Sequence, residues 1–352
     1  MKELKIDLGV RSYPVYVGEL PTLARRLSTI FKGSTPVLIT SSKVWRHCLG
    51  AFKAALGRKL LRMEIPDGES QKNLQTAERL YQGLARLGVE RKTPLLLLGG
   101  GVVGDLGGFV AATYLRGVPY LQIPTTLVAQ IDSSIGGKVA VDLPEGKNLV
   151  GSFYQPVAVL TDLNFLKTLP RRELRAGLAE AVKYGLIRDP QLFKFIGRRN
   201  REILAADLDP LEEVVVRSIR IKAAIVSQDE REETGLRRIL NFGHTFGHAI
   251  ERMTRYRQFR HGEAVAIGMV MATQLSARLG FCHDELAHLV QHQLETLGLP
   301  VNPPAFSRSD WKAAIGVDKK RQGGMIQFVF IKTIGNVIVQ PIEVGELVKA
   351  IA

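Results

Sequence analysis

The chain has 352 residues, 45% apolar and 23% charged, with mean hydropathy +0.04, which describes a folded globular protein and excludes a disordered, fibrous or membrane-embedded one. Charged residues interrupt every apolar stretch before the roughly 18 residues a spanning helix needs, the mixed-sign opening Met1–Asp7 has no secretory h-region, and two cysteines, Cys48 and Cys282, make neither a disulfide framework nor a thiolate metal cage, so a cytoplasmic protein is expected. The formal charge of +14 fits an anionic small substrate, nucleic acid or a solvated surface; the basic residues are dispersed, without a basic tail or interleaved aromatics, which places nucleic acid last.

The length favours two domains. In the first part, short apolar runs alternate with amphipathic stretches: Val37 to Thr40 then Ser42 to Leu56, Leu60 to Ile65 then Gln71 to Leu87, Leu95 to Leu98 then Val102 to Leu115. That rhythm predicts βαβ units around a largely parallel sheet. Leu95 to Leu98 has no polar alternation, as expected of a strand covered on both faces.

The run ends in Gly99-Gly100-Gly101-Val102-Val103-Gly104-Asp105, the G-x-G-x-x-G spacing between a strand and a helix. Glycines there let a pyrophosphate approach the backbone, and the following helix start offers unpaired N–H donors. Tight strand-to-helix packing is the alternative. The acidic residue that usually follows about 20 positions on is absent; Asp67, in Pro66-Asp67-Gly68-Glu69, is a substitute ribose acceptor, or simply part of a turn.

Further along, Thr125-Thr126, Asp132-Ser133-Ser134, Gly136-Gly137-Lys138 and Gly146-Lys147-Asn148 bring hydroxyls, glycine amides and lysines close in sequence. These are donors for a phosphate or carboxylate. A solvated loop has the same composition.

After about Thr161 the pattern turns to long helices: Arg171 to Ile187, Leu211 to Gln228, Gly243 to Thr254, Glu263 to Leu279 and Glu285 to Leu297. The expected fold is therefore an α/β domain over residues 1–160, followed by a mainly α-helical domain over 161–352, with one late hairpin, Met325 to Ile331 and Asn336 to Gln340. In the helical part Glu180 sits in an apolar stretch with Lys183 one turn on, His244 and His248 share a helix face, and His261 follows. One carboxylate and imidazoles suit zinc or a similar divalent ion; a buried hydrogen-bonded network is the bland alternative. His-Glu-x-x-His is missing, which disfavours peptide hydrolysis.

Taken together, Asp67 to Glu69, Gly99 to Asp105, Pro124 to Thr126, Asp132 to Lys138, Gly146 to Asn148, Gly177 to Gly185, Asn241 to Glu251 and His261 to Glu263 resemble the 3-dehydroquinate synthase family of sugar-phosphate cyclases over nearly the whole chain. The resemblance implies an N-terminal α/β nucleotide-binding domain that binds NAD, a helical C-terminal metal-binding domain, an active site in the cleft between them and a homodimer. It implies that Glu180, His244 and His261 bind a divalent metal, usually zinc and sometimes cobalt. It assigns NAD contacts to Asp67, Gly68, Glu69, Ser70, Gln71, Lys72, Gly101, Val102, Val103, Gly104, Asp105, Thr125, Thr126, Lys138, Lys147, Phe165, Leu166, Lys167 and Thr168.

Around the substrate it places Arg116, Asp132, Lys138, Asn148, Lys183, Lys222, Arg237, Asn241 and His248, with Lys319 or Lys320. The stretch Asp229 to Thr234 is one residue longer than the family pattern, so Lys222 is placed from its own Lys-Ala-Ala context. The implied reaction converts 3-deoxy-D-arabino-heptulosonate 7-phosphate to 3-dehydroquinate and phosphate: NAD oxidises the C5 alcohol transiently, phosphate leaves by β-elimination, NADH restores C5, and ring opening precedes an aldol closure. His248, Lys183 and Asp132 are then candidates for positioning and proton transfer, and Lys138, Asn148, Arg237 and Arg116 for holding phosphate and carboxylate. Another sugar-phosphate cyclase, or a metal-dependent polyol dehydrogenase that accumulates NADH, is the competing enzyme reading, and a basic nucleic-acid-binding module the non-enzyme one.

Overall fold

A computed structural model describes residues 1–30, 35–56, 61–316 and 324–349. The chain divides into two units, Met1–Leu169 with Leu211–Arg231, and Pro170–Pro210 with Glu232–Ala352. The segment Leu211–Arg231, which the sequence expectation left with the helical half, thus groups with the α/β unit.

The first unit contains strands β1 (Lys2–Ile6), β2 (Tyr13–Val17), β3 (Val37–Ser41), β4 (Leu61–Ile65), β5 (Leu95–Gly99), β6 (Tyr120–Pro124), β7 (Lys138–Leu143), β8 (Gly146–Phe153) and β9 (Ala158–Thr161). Seven of them form a sheet in the order β1-β2-β9-β6-β5-β3-β4. Only the β1–β2 pair is antiparallel. Alternation along β5 explains its uniform apolarity: Leu95 and Leu97 pack with Val37, Ile39, Leu80, Leu106 and Val110 on one face. Leu96 and Leu98 pack with Leu38, Leu121, Ile123 and Leu160 on the other.

The stretch expected as a donor-rich loop is instead the antiparallel hairpin β7–β8. Its glycines and lysines drew attention away from Val139 and Val141, which alternate and bury against the helix Gly101–Thr113 cluster. That helix stops before the expected Leu115 because Leu115, Arg116 and Gly117 all take positive φ (49°, 64° and 120°), which no helix continues.

The second unit is mainly helical. Arg171–Arg188 is buried from Ala176 through Ile187 and His261–Arg278 from Gly262 through Thr273, the all-round burial of central helices. Pro190–Arg198 starts at Asp189, whose carboxylate accepts from the Gln191 and Leu192 amides at 3.0 Å. The late hairpin is present as β10 (Met325–Thr333) and β11 (Asn336–Glu343). Among the described residues no helix is long and apolar enough to cross a membrane.

Candidate functional site

In the second unit, close helix approach creates the constellation. Gly262 faces the Ala176 carbonyl so tightly that a Cβ would lie 1.9 Å from that oxygen, and one on Gly268 would lie 2.1 Å from the Gly243 oxygen. Gly243 itself enters the His244–Met253 helix with φ +79°. Small residues at these crossings bring three side chains from three helices to one point: Glu180, His244 and His261 have ligand atoms all within 4.8 Å of one another.

The buried Glu180 Oε1 lies 3.5 Å from His244 Nε2 and 3.4 Å from His261 Nε2. Both rings are held from behind. His244 Nδ1 faces the Phe242 carbonyl at 3.2 Å, and His261 Nδ1 faces the Glu251 carboxylate at 3.3 Å, so with Nδ1 as donor each Nε2 presents its lone pair to the cluster. Burial lowers His244 to about 3, outweighing the attraction of Glu180. Burial also opposes protonation of His261, but its hydrogen bonds to Glu180 and Glu251 prevail and raise it to about 10.

Lys183, buried beside this point, is ion-paired with Glu180. His248 is exposed, its ring edge-on to His244 at 5.3 Å and 5.9 Å from His261. Arg237 and the exposed Asn241 sit on the short turn Leu236–Asn241 leading into the His244 helix. Arg237 is buried and pairs with Glu232 at 3.5 Å, a residue in the left-handed region (φ +62°) that sequence reasoning did not single out. Its signal was faint: one acid among several in Asp229 to Thr234. Lys319 and Lys320 lie outside the described residues.

In the first unit, the glycine segment serves both readings drawn from it. A Cβ on Gly104, Gly107 or Gly108 would lie 2.7, 2.5 and 2.3 Å from Gln122, Leu97 and Val139 side chains, so these glycines are spacers between helix and sheet. Gly100 and Gly101 instead open the helix start, where the amides of Gly101, Val102 and Val103 precede the first intrahelical bond, Gly104 N–H to Gly100 O. Thr126 and Ser133 stand over them, 3.1 and 3.5 Å from the Cβ positions of Gly100 and Gly101. Thr125 follows β6 and donates its amide to Gly99 O at 3.0 Å.

Several expected ligand contacts are tied to each other. The buried Lys72 ammonium donates to Asp105 at 2.6 Å and to Asn148 at 2.5 Å, with Asp142 at 3.9 Å. Asn148, at φ +56°, donates its amide to Asp142 at 2.8 Å. Burial pushes the Asp105 carboxyl up against the pull of Lys72. Lys147 pairs with Glu69 at 3.2 Å.

Lys222 donates to the Asp132 carbonyl at 2.6 Å and also to its carboxylate, where Asp132 belongs to a wide turn, Ala129–Ser133, bonded i to i+5, a form frequent at functional sites. Asp67, Gly68, Glu69 and Ser70 form an exposed turn after β4, with Gly68 at φ +108°, leading into Gln71. Three further expected positions differ in exposure. Arg116 is exposed on its positive-φ turn, Lys138 is exposed at the start of β7, and Phe165 and Leu166 are buried, Phe165 within the apolar cluster of Leu96 and Ile123, leaving Lys167 and Thr168 at the surface.

The sheet points to one position that sequence reading missed. The chain leaves β3 to β4 on one side and returns to β5 on the other, so the strand order reverses between β3 and β5, and ligands of open α/β sheets bind outside the carboxyl ends at such a reversal. Ser41 ends β3 there and Ser42 opens the next helix, donating to Glu64.

A model of the 3-dehydroquinate synthase N-terminal region matches residues 62–176 and one of the C-terminal region matches 177–321. The chain is 43% identical over 352 residues to a 3-dehydroquinate synthase of Pelobacter propionicus, covering 99% of this chain and 98% of that one. Among solved structures it is similar to ValA, a 2-epi-5-epi-valiolone synthase of Streptomyces hygroscopicus subsp. jinggangensis with NAD+ and Zn2+ bound (TM-score 0.88, 28% identity, covering 99% and 96% of the two chains). It is similar also to a 2-deoxy-scyllo-inosose synthase complexed with carbaglucose-6-phosphate, NAD+ and Co2+ (TM-score 0.88, 25% identity, 99% of each chain). With both of its halves matched and a full-length relative well above any ambiguous identity, this chain belongs to the 3-dehydroquinate synthase family.

Proposed function

We propose that this chain converts 3-deoxy-D-arabino-heptulosonate 7-phosphate to 3-dehydroquinate and phosphate, with catalytic NAD in the first unit and a divalent cation, zinc or cobalt, in the second. One observation carries the reading: in a chain of this family, a buried acid and two imidazoles fixed at Nδ1 converge within 4.8 Å. The donor set fits the cation. One carboxylate and two neutral nitrogens leave a position for substrate, and each imidazole has its outer-shell partner. The first unit fits a dinucleotide, since the amides at Gly101 to Val103 form an anion-binding helix start that a side chain on Gly100 would crowd.

When bound, the cation supplies Lewis-acid polarisation of the substrate alcohol and NAD takes and returns the hydride. The protein's own groups bind and orient. Glu180, His244 and His261 would hold the metal, and Asp67 the nucleotide ribose. Lys183 offers a buried positive charge to substrate oxygens beside Glu180, and His248, exposed next to both ligand rings, is placed to move a proton. Lys222 fixes the direction of Asp132. Arg237, Asn148, Lys138 and Arg116 supply cations and a donor for phosphate and carboxylate, which gives the +14 charge a small-molecule purpose in preference to nucleic acid.

The exposed Leu149, Phe153 and Val157, on or just after β8, support a homodimer, to be measured by sedimentation; the free thiols of Cys48 and Cys282 suit the cytoplasm. Phosphate release should fall to background with a chelator, recover with Zn2+ or Co2+, and proceed with no net change in NADH absorbance. Release that ignores chelation, or steady NADH accumulation, would overturn the proposal.

A further inference from the structure

We propose that Glu251 is a positioning residue for the metal centre, its carboxylate setting the tautomer and orientation of the His261 ring. The inference rests on the metal reading above and extends it to a residue outside the ligand set. Glu251 lies on the His244–Met253 helix three residues after His248 and seven after His244, which puts it on their face. It is 4% exposed, and a carboxylate that deep is costly unless something charged or donating meets it.

What meets it is His261. The imidazole is strung between two acids, Nδ1 at 3.3 Å from Glu251 and Nε2 at 3.4 Å from Glu180. A proton on Nδ1 donated to Glu251 turns the Nε2 lone pair inward. The companion ligand, His244, has only a backbone carbonyl behind its Nδ1. A hydrogen bond to a full negative charge is roughly twice as strong as one to a neutral acceptor, so His261 is the ring held harder and made the better donor.

The same residue also builds the turn that delivers His261. The Glu251 carbonyl accepts from the Tyr256 amide at 2.7 Å, closing a reversal in which Arg255 and Tyr256 both take positive φ, 52° and 55°. Side chains rarely adopt that conformation, and two in succession persist only where surrounding contacts demand it. Here the backbone of Glu251 fixes the loop while its side chain catches the ring that the loop returns.

The ligand atoms of His248, Glu251 and His261 also lie within 4.8 Å of one another, which makes a second cation the rival reading. Co2+ titration of the metal-depleted protein separates them, with the visible Co2+ spectrum, affinity by chelator competition, and melting of the metal-free protein recorded together. Wild type should bind one Co2+ per chain. Glu251→Gln should bind about 10- to 100-fold more weakly with a displaced visible band, Glu251→Ala more weakly still, and Glu251→Asp, which keeps the charge but retracts it, between wild type and Ala.

A purely structural role would lower melting and leave the Co2+ band of the folded variant unchanged, which overturns the inference. So does Glu251→Gln with wild-type affinity, or two Co2+ per wild-type chain. Wild type that binds no Co2+, or Glu180→Gln that binds it normally, would instead remove the metal reading itself.

Discussion

Gly262→Ala tests whether helix proximity, and not ligand identity alone, makes the metal centre. The added Cβ would sit 1.9 Å from the Ala176 oxygen, 2.6 Å from its carbonyl carbon and 2.9 Å from its Cα. These are backbone atoms that no rotamer change can move. An ordinary carbon–oxygen contact is about 3.4 Å, so the two helices must part locally by about 1.5 Å. Gly262 adjoins His261 and Ala176 lies one turn before Glu180, so the separation falls between two of the proposed ligands, whereas metal–ligand distances tolerate only about 0.2 Å.

Overpacking of this kind costs about 1–3 kcal/mol, which a chain of this size survives. The expected outcome is a folded variant, melting somewhat lower, whose Zn2+ affinity falls by about two orders of magnitude, since a misplacement of about 1 Å can cost that much at a site. Affinity by chelator competition and metal content by emission spectrometry check it. Gly50→Ala is the control: its Cβ meets nothing within 4 Å in the middle of a helix, and it should stabilise by about 0.4–1 kcal/mol. A Gly262→Ala protein with a full complement of tightly held zinc would refute the geometric reasoning.

Lys72→Met should destabilise the first unit by about 1–3 kcal/mol, the usual cost of leaving a polar partner unsatisfied, here the part-buried Asp105; denaturant unfolding measures it, and an unchanged midpoint would count against the network. Because the metal-free His261 holds its proton up to about 10, cation binding must displace it, so affinity should rise about tenfold per pH unit between about pH 7 and 9. The sign for the metal-free fold is opposite: its share of stability is whole below the ordinary histidine value of 6.5 and fades as pH climbs through about 10. Titration calorimetry in two buffers of different ionisation heat should find one proton released per cation; none released would contradict the assignment. Burial, aided by Asp162, pushes the Cys48 thiol up to about 12, so at about pH 8 a thiol reagent should reach the half-buried Cys282 first and Cys48 only after unfolding. Equal rates would refute it.

The parts legible in the sequence were those where one residue's environment is set by near neighbours. Leu95 to Leu98 had to be covered on both faces, the glycines after it had to start a helix, and His244 and His248 had to share a face. What escaped depended on partners far along the chain. Nothing near Lys72 says that its ammonium would be absorbed by Asp105 and Asn148, 33 and 76 positions away. Val139 and Val141 were overlooked because glycines and lysines around them imitate a solvated loop. Glu251 closes the Asn241 to Glu251 block with no role of its own in the sequence; the positive-φ turn at Arg255 and Tyr256 folds His261 back onto it, and such a turn in non-glycine residues leaves no compositional mark.

The order in which the units take up the polypeptide bears on how it is made. The first unit includes Leu211–Arg231, and with it Lys222, the tether of Asp132, so a ribosome that has released only the first 169 residues presents that unit still missing a helix. At about 5–20 residues per second, the remaining stretch takes several seconds to emerge. During that interval the α/β half lacks this helix, and a truncation at the apparent domain border would lack it for good.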